Sequence, residues 1–187
     1  MAAKYQEAVI SPSRGKDIST QRVWRYLALL DPSTEVVMFR DSDAIMLQKD
    51  VNAATQWLHS ARLYHVMRDH YYHGVPILAG MFGVKLGQQR KEIRKYASEL
   101  IYRSIGDQNK NTDQKLLAEI FWNHVSKNST VHDAYFCESF KVCQREIRPF
   151  PTKRKSLTFV GNTQNNRVNK ACPVECRPKN HKDWLFC

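Results

Sequence analysis

Two kinds of apolar spacing alternate over residues 20–70, and this alternation constrains the fold more than any other feature of the sequence. Helical intervals separate the apolar residues of STQRVWRYLALLDP, and the apolar run from Val36 to Phe39 that follows predicts a buried strand. The spacing is again helical in LQKDVNAATQWLHSA, and RLYHVMRDH after it is typical of a short strand. This succession predicts an α/β layered domain, whose ligands bind beyond the carboxyl ends of the strands.

The apolar faces of the helical segments indicate the core. We expect the first helix to begin near Ser19 or Thr20, and two later helices to cover residues 89–103 and 112–125. The residues predicted to face the core are Val23, Tyr26, Leu27 and Leu30 in the first helix, Val51, Ala54, Trp57 and Leu58 in the second, and Leu116, Leu117, Ile120 and Phe121 in the last.

Two carboxylates follow the first predicted strand. Asp41 and Asp43 are two positions apart, so on an extended backbone their side chains point the same way and repel each other without a cation. Carboxylates of this kind hold Mg²⁺ or Mn²⁺, often together with substrate phosphates. The alternative is a surface turn with incidental aspartates, because the motif is short. We expect Arg40 either to add charge near phosphates or to form a salt bridge.

The charge balance favours anionic partners. The 187 residues include 29 basic and 18 acidic residues, for a net charge of +11. A basic nucleic-acid-binding module is therefore an alternative function, but no recognised binding motif supports it and we do not expect a nucleic-acid partner. We expect no membrane span, since no run of about 18 apolar residues occurs, and no signal peptide. The localisation is left unassigned.

All five cysteines lie in the last third of the chain. Cys172 and Cys176 have a spacing that zinc sites also use, but no second close pair completes four ligands. The alternatives are one or two disulfides with a free thiol left over, or reduced cysteines in a cytosolic protein.

The composition changes near Arg145. The segment from there to the last residue is basic, polar and interrupted by prolines, which predicts an irregular, poorly packed tail that the cysteines order in part. We therefore expect a domain over residues 1–144 and a basic, cysteine-containing segment over residues 145–187.

An ordered series of motifs resembles a glycosyltransferase family of the GT-A type. The motifs lie between Gln21 and Gly161 and are FRDSD, QWLHS, HVMRDH, PILAGMFGVK, TDQKLL, VHD and RPFPTKR. The resemblance implies a mixed sheet flanked by helices and an enzyme that transfers a sugar from a nucleotide-diphosphate donor. The acceptor that it implies is a glycan, a lipid or a protein, and it does not specify which.

In such enzymes the Asp-x-Asp pair binds a divalent metal that holds the diphosphate of the donor. The resemblance therefore implies that Asp41 and Asp43 bind Mn²⁺ or Mg²⁺, with His132 as a third ligand. For His132 the alternative is a histidine that is hydrogen-bonded at the end of a strand.

The same resemblance implies contacts with the substrates. It places Arg68, Asp69 and His70 beside the donor sugar or the acceptor, whereas alone they would indicate a solvated, ion-paired loop. It also implies that Gly80, together with Gly83, lets the backbone approach the sugar closely, the alternative being a core strand with a bulge.

A catalytic base and a phosphate-binding loop are also implied. Asp113 resembles an acidic residue that acts in proton transfer beside Gln114, although it also suits a helix N-terminus. Lys153 and Arg154 would close over the diphosphate, or belong to a solvated basic face.

The sequence departs from the family pattern at two places. Only 40 residues precede Asp41, where a GT-A domain normally has about a hundred, so we expect most of the N-terminal nucleotide-binding half to be missing. DSDAIML also lacks the Ser-Arg that follows the second aspartate in the family. A non-catalytic remnant is therefore a further alternative. Full-length relatives are compatible with the Golgi lumen or the cytoplasm.

Overall fold

A computed structural model describes residues 22–107, 109–140, 146–163 and 166–187. The expected helix start at Ser19 or Thr20, the expected tail boundary at Arg145 and the thiol of Cys143 lie outside these residues.

The described residues form a mixed five-stranded sheet, which confirms the predicted α/β class. The strands are β1 Val36–Arg40, β2 Tyr64–Arg68, β3 Met81–Lys85, β4 Ser129–Asp133 and β5 Glu146–Arg148. Strand β2 pairs antiparallel with β3 and parallel with β4, and β4 pairs parallel with β5, so that the sheet order is β1-β3-β2-β4-β5. The α-helices are α1 Gln48–Leu58, α2 Arg90–Ser104 and α3 Thr112–Val125, and the 3₁₀ helices are η1 Trp24–Leu29, η2 Gly87–Gln89 and η3 Val174–Cys176.

The chain divides into two compact units. The first comprises Lys85–Asn123 and the described part of Met1–Val37, and the second comprises Met38–Val84 and His124–Cys187. Most of the sheet, helix α1 and the C-terminal segment belong to the second unit.

In the first unit, the predictions for Val23 and Tyr26 are confirmed, and those for Leu27 and Leu30 are not. Val23, Tyr26 and Leu29 are fully buried, whereas Leu27 and Leu30 are only partly buried. The reason is that η1 is a 3₁₀ helix with three residues per turn, so positions three apart share a face. The predicted core of α3 is confirmed, since Leu116, Leu117, Ile120 and Phe121 are all buried.

In the second unit, α1 packs with Lys49, Asp50, Ala53, Ala54 and Trp57 buried. The predictions for Ala54 and Trp57 are confirmed, but Val51 and Leu58 are 44% and 46% exposed. The buried face is rotated because two charged residues, Lys49 and Asp50, occupy it and form ion pairs inside the protein.

The residues after the expected boundary at Arg145 are not a poorly packed tail. They contain little regular structure, but Phe150, Phe159, Val160 and Val168 share a buried cluster with Met67 of β2. The described residues after position 145 therefore contribute side chains to the core of the second unit. Their polar composition hides this packing because a few well-separated apolar side chains supply it.

Four of the five cysteines form disulfides in the structure. Cys137 bonds to Cys176, and Cys172 bonds to Cys187. Because Cys172 and Cys176 have different partners, they do not act as a zinc-binding pair, and the disulfide alternative is the one that the structure adopts. Among the described residues, no helix is long and apolar enough to cross a membrane.

Candidate functional site

A turn at the end of β1 presents the two predicted metal ligands. Residues 41–44, which we call the acidic turn, are closed by a 3.1 Å hydrogen bond from the Ala44 N–H to the Asp41 carbonyl. Asp41 and Asp43 are both exposed. The apolar strand thus anchors the turn while its carboxylates face solvent, where a cation and a phosphate group can reach them.

Gly80 lies directly against the Asp41 carboxylate. A Cβ atom at this position would be 2.7 Å from Asp41 Cγ and 2.8 Å from its Oδ1, closer than real Cβ contacts. The Asp41 carboxylate can therefore occupy this position only because residue 80 has no side chain. Gly83 has a different role, since a Cβ there would meet the Trp57 ring at 2.9 Å, and it serves core packing.

The ends of the loop that contains the acidic turn are joined by an ion pair. Arg40 donates to both carboxylate oxygens of Asp50 at 2.6 and 3.1 Å, and its Nη1 donates to the carbonyl of Phe39 at 2.6 Å. Of the two expectations for Arg40, the structure adopts the salt bridge. Its guanidinium is therefore occupied in fixing β1 to the first turn of α1.

A second turn, over residues 159–162, holds the loop from the other side. We call it the glycine turn, because Gly161 has a φ of 85° at its third position and the Asn162 N–H donates to the Phe159 carbonyl at 2.9 Å. The Asn162 carbonyl accepts a 2.9 Å hydrogen bond from the Ile45 N–H. The backbone just after the acidic turn is thus joined to the C-terminal segment.

Asp69 is the centre of a buried charged cluster. Its carboxylate accepts hydrogen bonds from Lys49 Nζ at 2.6 Å, from Arg154 Nη2 at 2.6 Å and from the Val160 N–H at 2.9 Å. The side chains of Asp69 and Arg154 are 0% exposed. Both residues were expected to bind substrate or phosphate, but in this geometry they bind each other.

Burial lowers the pKa of Lys49 to about 8, opposed by the negative charge of Asp69 and reinforced by the positive charge of Arg154. The Lys49 ammonium also contacts the carbonyl of Cys187 and lies 4.4 Å from the centre of the Phe150 ring. Lys49 and Arg154 both bind the Asp69 carboxylate, so its removal would take an ion-pair partner from two buried cations.

Arg68 is also enclosed by protein groups. Its Nε donates to Asp133 at 2.7 Å, its Nη1 donates to the Pro76 carbonyl at 2.6 Å, and both members of the ion pair are 0% exposed. The Asp133 carboxylate also accepts from the N–H groups of Tyr135 and Phe136. Arg68 therefore braces the end of β2 against the end of β4.

His70 is 6% exposed and lies among aromatic rings. Its ring centre is 4.1 Å from that of Tyr71 and 4.3 Å from that of Phe159, and its Nδ1 accepts from the Tyr72 N–H at 3.2 Å. Burial, with the charge of Arg154, lowers the pKa of His70. Because Nδ1 accepts this hydrogen bond, it carries no proton in this arrangement.

His132 has both ring nitrogens in hydrogen bonds. They lie 2.8 Å from His65 Nε2 and 3.0 Å from the side-chain oxygen of Gln56, and His132 itself is 0% exposed. Burial first, then the charges of Arg148 and Lys49, lower the pKa of His132 to about 3. This arrangement favours the alternative of a hydrogen-bonded histidine over that of a third metal ligand.

The remaining predicted site residues lie in two places. Asp113 and Gln114 belong to the first unit, in the first turn of α3, where Asp113 is 6% exposed and acidic charge suits the helix N-terminus. Their roles toward a substrate stay predictions. Lys153 lies in the second unit and is exposed, as a phosphate-binding side chain has to be.

The donor set fits a divalent cation held by few protein ligands. Within the described residues, no group of three His, Cys, Asp or Glu side chains is arranged to hold a metal. Two exposed carboxylates with Asp41 backed by Gly80 match the mode in which Mg²⁺ or Mn²⁺ is bound by one or two carboxylates and by substrate phosphates.

Two contributors to this region were not predicted from the sequence. Lys49 lies four residues before Ala53 and eight before Trp57, which places it on the apolar face of α1. A charged residue on such a face is a signal of an internal ion pair. Asn162 follows Gly161, and this Gly-Asn pair is a turn signal. Neither signal names the partner, because both partners are distant in the sequence.

Comparison with protein-family models and with curated proteins finds no match. Among solved structures, the chain is similar to a glycosyltransferase involved in the glycosylation of the major capsid of PBCV-1. The TM-score is 0.47 and the sequence identity 20%, over 72% of this chain and 71% of that chain. The function is therefore inferred from the residues of the chain itself.

Proposed function

We propose that this protein is a metal-dependent glycosyltransferase that binds a nucleotide-diphosphate sugar through a divalent cation at Asp41 and Asp43. The observation that carries this proposal is the placement of the acidic turn at the end of β1 with Gly80 against the Asp41 carboxylate. The contact with Gly80 limits where the Asp41 carboxylate can lie, and a metal ligand needs a defined position.

Asp41 and Asp43 would hold Mn²⁺ or Mg²⁺. When bound, such a cation stabilises the negative charge that develops on a departing diphosphate. Lys153, which is exposed, is the residue we assign to direct contact with the phosphates. Arg40, Arg68 and Arg154 are each in a buried or partly buried ion pair, so we assign them to supporting the site.

Fewer residues are proposed to act on the acceptor than on the donor. We keep Asp113 as the candidate general base, with Gln114 beside it, because a carboxylate that accepts the proton of an acceptor hydroxyl is what sugar transfer requires. Asp113→Asn should then reduce turnover and leave donor binding unchanged. Equal losses in binding and turnover would assign Asp113 to the structure of α3 instead.

Calorimetric titration of the protein with manganese and uridine or guanosine diphosphate tests the metal site. We expect binding that requires the metal and is abolished by chelator, because two carboxylates and a diphosphate repel one another without it. Asp43→Asn preserves shape and removes one charge, and should abolish the metal-dependent binding. The matched control is Asp183→Asn, an exposed aspartate whose side chain is 75% accessible.

Equal, metal-independent binding of the nucleoside diphosphate by the parent and by Asp43→Asn would contradict the metal site. Metal-dependent binding without sugar transfer to any acceptor would instead support the non-catalytic alternative.

A further inference from the structure

We propose, building on the function proposed above, that Asp69 is a positioning residue for the acidic turn and acts on it through the glycine turn. Asp69 directly follows β2 and is fully buried. A carboxylate without solvent contact in this structure does not touch a substrate. Asp69 can therefore affect the site only through the protein groups to which it is hydrogen-bonded.

The first step of the coupling runs from Asp69 to the glycine turn. The Val160 N–H donates to Asp69 Oδ2 at 2.9 Å, which fixes the second residue of the turn. Arg154 strengthens this anchor, since its guanidinium binds the Asp69 carboxylate at 2.6 Å and also donates to the Thr158 carbonyl at 2.6 Å. One buried carboxylate therefore holds the turn both directly and through the chain that leads into it.

The second step runs from the glycine turn to the acidic turn. The Asn162 carbonyl accepts from the Ile45 N–H at 2.9 Å, and Ile45 immediately follows the acidic turn. On its other side the glycine turn packs against Met81, because a Cβ at Gly161 would lie 2.9 Å from the Met81 sulfur. Met81 is the residue after Gly80, which backs Asp41. The glycine turn thus contacts the residue after the acidic turn through a backbone hydrogen bond, and it contacts the residue after Gly80 through the Met81 side chain.

The third contact comes from α1. Lys49, in the first turn of this helix, donates to Asp69 at 2.6 Å, and the neighbouring Asp50 pairs with Arg40. The loop with the acidic turn is therefore held at both ends. Asp69 contributes to this through Lys49 of α1 and through the glycine turn. Loss of the Asp69 charge releases both.

Amide hydrogen exchange of the full chain, measured by NMR at the Ile45 N–H without any ligand, tests this coupling. One variant is Asp69→Asn combined with Lys49→Met, which removes one negative and one positive charge and preserves the net charge of the cluster. The other is Gly161→Ala, which disturbs the glycine turn without touching a charge, since alanine is strained at a φ of 85°. Asp183→Asn is again the control.

We expect exchange at Ile45 to accelerate at least about tenfold in both variants, while exchange at Val131 in β4, which pairs with a strand on each side, changes by less than about twofold. The affinity for manganese and uridine diphosphate should fall in parallel by about tenfold, which corresponds to about 1.4 kcal/mol. Unchanged exchange at Ile45, or equal acceleration at Ile45 and Val131, would overturn the positioning role. Failure of the parent to bind the diphosphate would contradict the proposed function and leave the exchange result to decide the role of Asp69.

Discussion

Substitution of Gly80 by alanine isolates the position of the Asp41 carboxylate from the rest of the fold. The new Cβ atom would lie 2.7 Å from Asp41 Cγ, so the carboxylate has to move away. This is the far end of an exposed, flexible side chain and not backbone, so the displacement is local. The substitution thus changes the proposed ligand geometry without removing any charge.

The expected effect on stability is small. The backbone of Gly80 lies outside the left-handed region, unlike that of Gly161, so alanine fits it and lowers the entropy of the unfolded chain, a gain of about 0.4 to 1 kcal/mol. A displaced Asp41 side chain costs about 0.5 to 1.5 kcal/mol if it leaves its preferred rotamer. These terms nearly cancel, and we expect the free energy of unfolding without ligand to change by less than about 1 kcal/mol.

The expected effect on the metal complex is large. At a ligand concentration about a hundredfold above Kd, binding stabilises the parent by about 2.7 kcal/mol, and a tenfold weaker complex at the same concentration gives only about 1.4 kcal/mol. Thermal unfolding with and without manganese and uridine diphosphate measures both quantities. Gly74→Ala is the matched control, because its Cβ would meet the Phe136 ring at 3.3 Å and no carboxylate. If Gly80→Ala retained the full ligand-dependent stabilisation, the assignment of Asp41 as a metal ligand would be refuted.

The other predictions concern the core, the disulfides and the dependence on pH. Leu117→Ala should lower the free energy of unfolding in urea by about 2 to 5 kcal/mol, because Leu117 is 0% exposed, whereas Leu185→Ala, at a residue 55% exposed, should change it by less than about 0.5 kcal/mol. Equal effects would place Leu117 outside the core. Residues 146–163 and 166–187 should resist limited proteolysis until the Cys137–Cys176 and Cys172–Cys187 disulfides are reduced, each reduction costing about 2 to 4 kcal/mol. Cleavage within these residues in the oxidised protein would contradict the packing. The free energy of unfolding should also fall as the pH drops below about 6.5. In this range His132 takes up a proton in the unfolded chain but not in the folded protein, where its pKa is lowered to about 3. His132 contributes about 2 kcal/mol to this loss by pH 5, and urea unfolding of His132→Gln should show a shallower dependence.

Local patterns in the sequence were sufficient to predict most of the helices and strands. The apolar run of β1 and the helical spacing of α3 depend on neighbours within a few residues, so periodicity predicts both elements. The expected burial of β1 is confirmed for Val37 and Phe39 but not for Val36, which is 43% exposed, because β1 lies at the end of the sheet order. In η1 the spacing predicted part of the buried face wrongly because a 3₁₀ helix has a shorter repeat than an α-helix, and the sequence alone does not distinguish them over two turns.

The candidate site was predictable only where its chemistry is local. Asp41 and Asp43 are recognisable because both carboxylates follow one strand, and Gly80 because of its place in a motif. The burial of Asp69 was not predictable, since it depends on Lys49, Arg154 and Val160, three residues from three separate segments. A charged residue at the end of a strand looks the same in the sequence whether it faces solvent or an internal ion pair.

The hydrogen bond between Asp69 and Val160 joins residues 91 positions apart in the chain. During synthesis, the acidic turn therefore leaves the ribosome long before the segment that fixes it exists. Loop closure over this distance is slow compared with the formation of α1 or of the β2–β3 pair. A nascent chain therefore carries Asp41 and Asp43 without this support until residues 159–162 have been synthesised. On the function proposed above, competence to bind the cation is acquired only from that point.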